Sequence, residues 1–231
     1  MKNSFSLDGL FDFSEISPQT QRHLRRVYTY LSSGMVLAII CFFLAQFFPS
    51  LSGIFYMLGI VSFVAEIILY FMNRDTPNGR RVSFASLYGY ASSVGGALGS
   101  TIAGMDDQSR IENYRYCMSA FVSMLIIFVM FSIFSILTSN RTGIYVFSAI
   151  SSIVLGLFSF FFFGYSAIIS VILGALYIII DTQAIIYRSK SSNTNPVVDA
   201  KLLFVDLVKI FYKIYEYLQK KDKEKKNKKE K

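Results

Sequence analysis

Histidine occurs once in this chain, at His23, and cysteine twice, at Cys41 and Cys117. Zinc sites built on histidine take two or three imidazoles, so a single one excludes His-based zinc chemistry. Both cysteines fall in or beside apolar runs, and no disulfide framework follows from them. Charge is scarce as well: Asp, Glu, Lys and Arg make up 16% of the 231 residues, against ~25% in an ordinary soluble domain. The first 27 residues are polar and mixed in charge. They contain no apolar core of a cleavable signal peptide, so the first spanning helix is expected to act as the targeting signal.

What is plentiful is apolar. Hydrophobic residues make up 53% of the chain and its mean hydropathy is +0.46. Runs of Phe, Ile, Leu, Ser and Gly continue long enough for a bilayer-spanning helix, which needs ~20 mostly apolar residues. This excludes a soluble enzyme, a nucleic-acid-binding protein and a disordered chain. It predicts an all-α, polytopic membrane helical bundle.

Six strong hydrophobic segments lie at 28–48, 51–72, 82–105, 116–137, 143–163 and 165–187. Their connections are short, at Pro49–Ser50 and Gly164, or polar, at 73–81 and 106–115, which predicts antiparallel neighbours. Three regions are therefore expected: an amphipathic lead-in over 1–27, a bundle over 28–218 and a disordered Lys-rich tail over 219–231. In the lead-in, Ser17-Pro18-Gln19-Thr20 reads as a helix N-cap with Pro at the first helical position. Arg22, Arg25 and Arg26 follow it. Arg74, Arg80 and Arg81 follow the second segment, Arg141 the fourth, and Arg188 and Lys190 the sixth. The opposite loops carry Arg110 and Arg115, offset by Asp106, Asp107 and Glu112. Because basic loops stay on the cytosolic side, the lead-in is expected there.

A seventh segment, 197–218, is different. Asp199, Asp206, Lys209, Lys213 and Glu216 recur at helical spacing on one face, with Leu203, Phe204, Leu207, Val208 and Phe211 on the other. Two readings stand: a helix lying on the membrane surface, or a buried helix whose polar face lines a wet cavity. Topology is open too. A seventh full span puts the tail on the side opposite the lead-in, with its eight lysines against Asp222, Glu224 and Glu230. A re-entrant segment returns it.

Carboxylates inside a membrane cost ~2.5–3.5 kcal/mol on insertion scales, so Glu66, Asp181 and Asp206 each call for an account. At 1.5 Å per residue, Glu66 and Asp181 lie ~9 Å below the same face and Asp206 ~13 Å into the last segment. Asp181 and Asp206 can therefore meet. Two carboxylates sharing one low-dielectric site cannot both ionise cheaply, so one keeps a proton. Such a dyad changes state with pH and attracts a hard cation when deprotonated. The competing reading is that each Asp pairs with a base, such as Arg80, Arg81 or Lys209, and fixes packing. In the third segment, Gly89, Gly95, Gly96 and Gly99 give the small-residue spacing that lets helix backbones approach closely.

In order along the chain, several motifs resemble the Bax inhibitor family, also called the transmembrane Bax-inhibitor-motif family. They are the lead-in Phe13-Ser14-Glu15-Ile16-Ser17-Pro18-Gln19-Thr20-Gln21-Arg22-His23-Leu24; the glycines Gly89, Gly95 and Gly99; Asp181-Thr182-Gln183 before Ile185-Ile186; Phe204-Val205-Asp206-Leu207-Val208-Lys209-Ile210-Phe211; and the Lys-rich tail. The resemblance implies a seven-helix fold with the last helix at its centre. It also implies a pH-sensitive calcium leak gated by Asp181 and Asp206, with Glu66 and Arg80 or Arg81 assisting. It further implies residence in the endoplasmic reticulum membrane and suppression of cell death. Calcium and protons would be the species moved or sensed, with calcium only transiently at the dyad and no resident cofactor. Lipid, and cell-death regulators of the Bcl-2 family, would be the partners, and no enzymatic step is expected. An alternative is a partner-binding regulator with no flux of its own. An intramembrane aspartyl protease is disfavoured, because Asp181 follows Ile180 and Asp206 follows Val205 rather than the Tyr-Asp and Gly-x-Gly-Asp contexts of that class.

The chain departs from the family pattern at Ser100, where Pro is common, at Leu202, where the eponymous member has Asp, and at Lys209, where Asn or Thr is usual. A cation one turn from Asp206 favours the charged carboxylate. That would move any pH response lower or silence it.

Overall fold

A computed structural model of the chain describes residues 17–72, 76–137, 182, 184–186, 188–189 and 195–229. Among them every regular element is a helix: α1 (Pro18–Phe47), a single 3-10 turn (Pro49–Leu51), α2 (Ser52–Phe71), α3 (Pro77–Ala103), α4 (Asp107–Leu137) and α5 (Pro196–Lys229). The first four hydrophobic segments and the seventh thus correspond to helices. The fifth segment, nearly all of the sixth, and Asp181 with it, lie outside the described residues.

The helix ends show why the chain folds locally as it does. Ser17 accepts from the Thr20 amide at 3.2 Å and its carbonyl accepts from Gln21 at 3.0 Å, satisfying amides that a helix start leaves open. The lead-in therefore has no boundary at residue 27: α1 runs unbroken from Pro18 into the apolar segment. Its stripe of Leu24, Val27, Tyr28, Leu31, Met35, Phe42 and Ala45 is buried, at the three- and four-residue spacing of one helix face. Thr76 caps α3 by accepting from Gly79 at 3.0 Å, with Pro77 next in line.

Two sequence-based boundaries are corrected. The polar stretch 106–115 is expected to be a loop, but only Gly104, Met105 and Asp106 separate α3 from α4. Asp106 accepts from the Ser109 amide at 3.0 Å, so a polar segment outside the apolar run still starts a helix. That hydrogen bond also holds the Asp106 carboxyl below its usual range. The Lys-rich segment 219–231 is expected to be disordered, yet α5 is helical through Lys229. Lys, Glu and Gln are good helix formers, Lys220 precedes Glu224 by four residues, and Asp222 is tied to α4.

Contacts divide the chain into two units. One comprises 25–112 with 191–204; the other comprises 1–24, 113–190 and 205–231. In the first, Cys41, Ala45 and Phe55 form a buried cluster covered by Leu37, Leu51 and Leu58, and Ser33 and Tyr88 join α1 to α3 at 2.8 Å. In the second, Tyr116, Cys117, Ala120, Met124 and Phe128 of α4 are buried. Leu207, Ile210, Phe211, Ile214 and Tyr215 of α5 are buried too, with Phe211 and Tyr215 stacked at 6.1 Å.

Two helices, Pro18–Phe47 and Pro49–Phe71, are long and apolar enough to cross a membrane. Their outer residues match that reading: Phe47, Phe63, Tyr70 and Phe71 are each more than two-thirds exposed. Water would penalise such a surface, but hydrocarbon does not.

Candidate functional site

In the first unit a polar group is assembled from three helices. Asn195 caps α5, accepting from the Val197 amide at 3.0 Å while its amide nitrogen donates to Ser83 of α3 at 3.1 Å. Asn195-Pro196 is the sequence signal for that start. Six residues on, Lys201 reaches α3 and α2 together. Its ammonium donates to Ser86 Oγ at 2.5 Å and forms an ion pair with Glu66. Ser86 in turn donates to Glu66 Oε2 at 2.8 Å. The Tyr90 ring centroid lies 5.8 Å from the ammonium, near the outer reach of a cation–π contact. Ser62 ties the two supporting helices by donating to the Ser86 carbonyl at 2.7 Å.

Glu66 was singled out by its depth in an apolar segment, and it is indeed engaged. Its partner was not foreseen. Lys201 is absent from the polar face drawn from Asp199, Asp206, Lys209, Lys213 and Glu216, and nothing local to residue 201 points to residue 66. The available signal was indirect: a lysine in the first turns of a segment flanked by apolar residues needs an acid from another helix.

In the second unit Asp206 accepts from Lys209 at 2.7 Å, the pairing of an acid with a base one turn on. Asp206 is thus held by one of the bases named as its alternative partners, while Asp181 lies outside the described residues. Arg80 and Arg81 are exposed at the start of α3, and among the described residues neither forms an ion pair. Both described membrane-segment acids, Glu66 and Asp206, therefore carry a lysine ammonium. Such a pair is electrically neutral, and a proton or another cation can take the ammonium's place only when the lysine swings away. The five apolar positions assigned to the opposite side of α5, Leu203, Phe204, Leu207, Val208 and Phe211, are all buried.

The glycines of α3 work as spacers on two sides. A Cβ on Gly95 would overlap the backbone of Ala38, and one on Gly99 would overlap the carbonyl of Phe42, both on α1. Gly96 meets the Phe55 ring on α2, and a Cβ on Gly89 would lie 3.0 Å from the Leu58 carbonyl. Close packing is thus the observed role of Gly89, Gly95 and Gly99.

Further along α5, a ladder joins it to the start of α4. Asn113 Oδ1 accepts from Tyr215 at 2.7 Å and from Gln219 at 2.5 Å. Asp222 accepts from Arg115 at 3.2 Å and from the Tyr116 hydroxyl. None of these was anticipated, because Asp222 was counted only as an offset within a basic block.

Long apolar helices with lipid-suited outer faces, small-residue contacts between helices and acid–lysine pairs define a helical integral membrane protein. The family is given by comparison: a family model described as "Inhibitor of apoptosis-promoting Bax1" matches residues 20–223, and the chain belongs to that family. It is 26% identical over 229 residues to the Bax inhibitor 1 homolog of Dictyostelium discoideum, covering 94% of this chain and 88% of that protein. It is 24% identical over 237 residues to Bax inhibitor 1 of Homo sapiens, covering 97% and 96%. To Bax inhibitor 1 of Arabidopsis thaliana it is 28% identical over 222 residues, covering 91% and 86%. No solved structure matches the chain.

Proposed function

We propose that this chain suppresses cell death from within the endoplasmic reticulum membrane by passing calcium at a rate set by pH. The observation that carries the reading is the end-to-end likeness to proteins named Bax inhibitor 1, together with the resemblance of the segments around Asp181 and Asp206 to that family's motifs. In this reading Asp181 and Asp206 share a proton when the path is closed. Deprotonation breaks their hydrogen bond and opens it, so flux rises with pH. Glu66 and its lysine set the charge of the neighbouring helices, and no chemical step is catalysed. The test is calcium efflux from liposomes holding the purified chain, scanned from about pH 6 to pH 8 around the histidine-to-thiol range. A rising flux that Asp206→Asn flattens supports the gate; an unchanged profile in Asp206→Asn removes it.

A second reading has its own observation. Asp206 is held by Lys209 and Glu66 by Lys201, which favours a protein that acts through binding partners, among them regulators of the Bcl-2 class. Removing residues 219–231 then abolishes protection while leaving flux unaltered. Loss of both together would count against it.

A further inference from the structure

A carboxylate has two oxygens, and the contacts to Glu66 use one of them. Lys201 and Ser86 both bond Oε2; among the described residues no donor reaches Oε1. The side chain of Lys201 is 13% exposed and that of Glu66 51%, so the ammonium lies inside the helix packing and the carboxylate at its outer edge. These residues all belong to the unit of 25–112 with 191–204. An acceptor left open to hydrocarbon is costly, because no water is there to supply a donor.

The outer side of α2 around Glu66 is well defined. Tyr70 lies four residues after Glu66 and Phe63 three before it, which places all three on one side of the helix. Tyr70, Phe63 and, continuing at the same spacing, Ile60 and Tyr56 are each more than half exposed. A tyrosine, with an apolar ring and a polar tip, settles at the level of the lipid headgroups. Glu66 is ~6 Å below Tyr70 at 1.5 Å per residue, just beneath those headgroups. From Glu66 down to Tyr56 the strip runs ~15 Å, long enough to line a fused ring system.

Charge decides which donor suits Oε1. The Glu66–Lys201 pair is neutral, so a metal cation or a lipid ammonium would add an uncompensated charge in the apolar layer. An anion would meet the carboxylate. A neutral hydroxyl supplies the missing donor without adding charge, and O–H to a carboxylate is among the stronger hydrogen bonds. The body beneath that hydroxyl has to lie along large side chains, and a rigid ring system loses less conformational freedom in doing so than two acyl chains. In sequence, Val64, Tyr70 and Arg74, with five and three residues between them, also fit the loose pattern proposed for cholesterol contact. We infer that the outer side of α2 binds a sterol, whose hydroxyl donates to Glu66 Oε1 and whose rings lie along Phe63, Ile60 and Tyr56. Lys201 is then a positioning residue, which holds the carboxylate in place from behind through Oε2.

The probe is a photoreactive cholesterol with a diazirine on its ring system, in phosphatidylcholine vesicles that hold the purified full chain. Cross-links should map to Ser52–Phe71, and cholesterol should displace the probe. Cholesteryl methyl ether, which has the same rings and no O–H, should compete about fivefold to tenfold less well. Dioleoylglycerol, which carries its hydroxyl on flexible chains, should also compete less well than cholesterol. Equal competition by the methyl ether overturns the role of Oε1. Equal competition by dioleoylglycerol overturns the sterol as the occupant, and cross-links outside α2 overturn the site. These readings use the wild-type chain, so none depends on a variant that fails to fold. Glu66→Leu combined with Lys201→Met, which removes both charges together, should make cholesterol and its methyl ether compete equally. A preference for cholesterol that survives in this double variant overturns the proposal.

Discussion

Helices α2 and α3 are neighbours built on opposite plans. Helix α2 carries large side chains nearly everywhere, and Met57, Ile60, Phe63, Tyr70 and Phe71 face outward while Phe55, Ser62, Ala65 and Leu69 are buried. Helix α3 is rich in Gly, Ser and Ala, and Ser83, Ser86, Gly89, Ala91, Gly95, Gly96 and Gly99 are all buried. Hydropathy therefore tracks exposure to lipid rather than depth in the protein. A helix that touches lipid must be apolar, whereas one enclosed by other helices is selected for small size and satisfied hydroxyls.

That contrast can be broken most severely at Gly95. A Cβ there overlaps the backbone of Ala38, which cannot move as a side chain can, so Gly95→Ala should destabilise the chain by about 3 kcal/mol or more. Gly53→Ala, with nothing within 4 Å of the added atom, should leave thermal stability in detergent unchanged. Equal melting temperatures for the two variants would refute the spacer role. Next comes Lys201→Met, which strips Glu66 of its cation. Leaving that carboxylate in the apolar layer should cost up to ~3 kcal/mol, and adding Glu66→Gln should recover most of the loss. A double-mutant cycle with no coupling energy would show the pair to be incidental.

A smaller effect is expected at the joint between the two helices. Ser62→Ala removes one buried hydrogen bond to the Ser86 carbonyl and should cost about 1 kcal/mol, seen as a modest fall in melting temperature. The smallest lies outside the membrane. Asp106 in its charged form caps α4, so its contribution is full above its unfolded value and fades as pH falls through its lowered folded value. Asp106→Ala should speed hydrogen exchange at the Ser109 amide at neutral pH, while Asp106→Asn should not.

How far these features were legible in the sequence depends on the range of the interaction behind them. The start of α1 was readable because Ser17-Pro18 acts over three or four residues. The two sides of α5 were readable because periodicity is local, and the glycine contacts because small residues at helical spacing have one common use. The beginnings and ends of helices were less so. Apolar runs mark where lipid begins, but backbone hydrogen bonding continues into water wherever capping and helix-forming residues permit. That is why α4 starts at Asp107 and α5 continues through the lysines. The Glu66–Lys201 and Arg115–Asp222 pairs join residues far apart in sequence, and no pattern along the chain connects them.

The missing joint between lead-in and span in α1 has a mechanical meaning. Arg25 and Arg26, exposed at its wet end, sit on the same unbroken helix as Ala38 and Phe42, whose backbones lie against Gly95 and Gly99. An α-helix is stiff over this length, with its residues locked 100° apart by the ladder of hydrogen bonds. A ligand that rotates the arginine end cannot be absorbed by a hinge, and the torque arrives at the place where α3 has no side chains to cushion it.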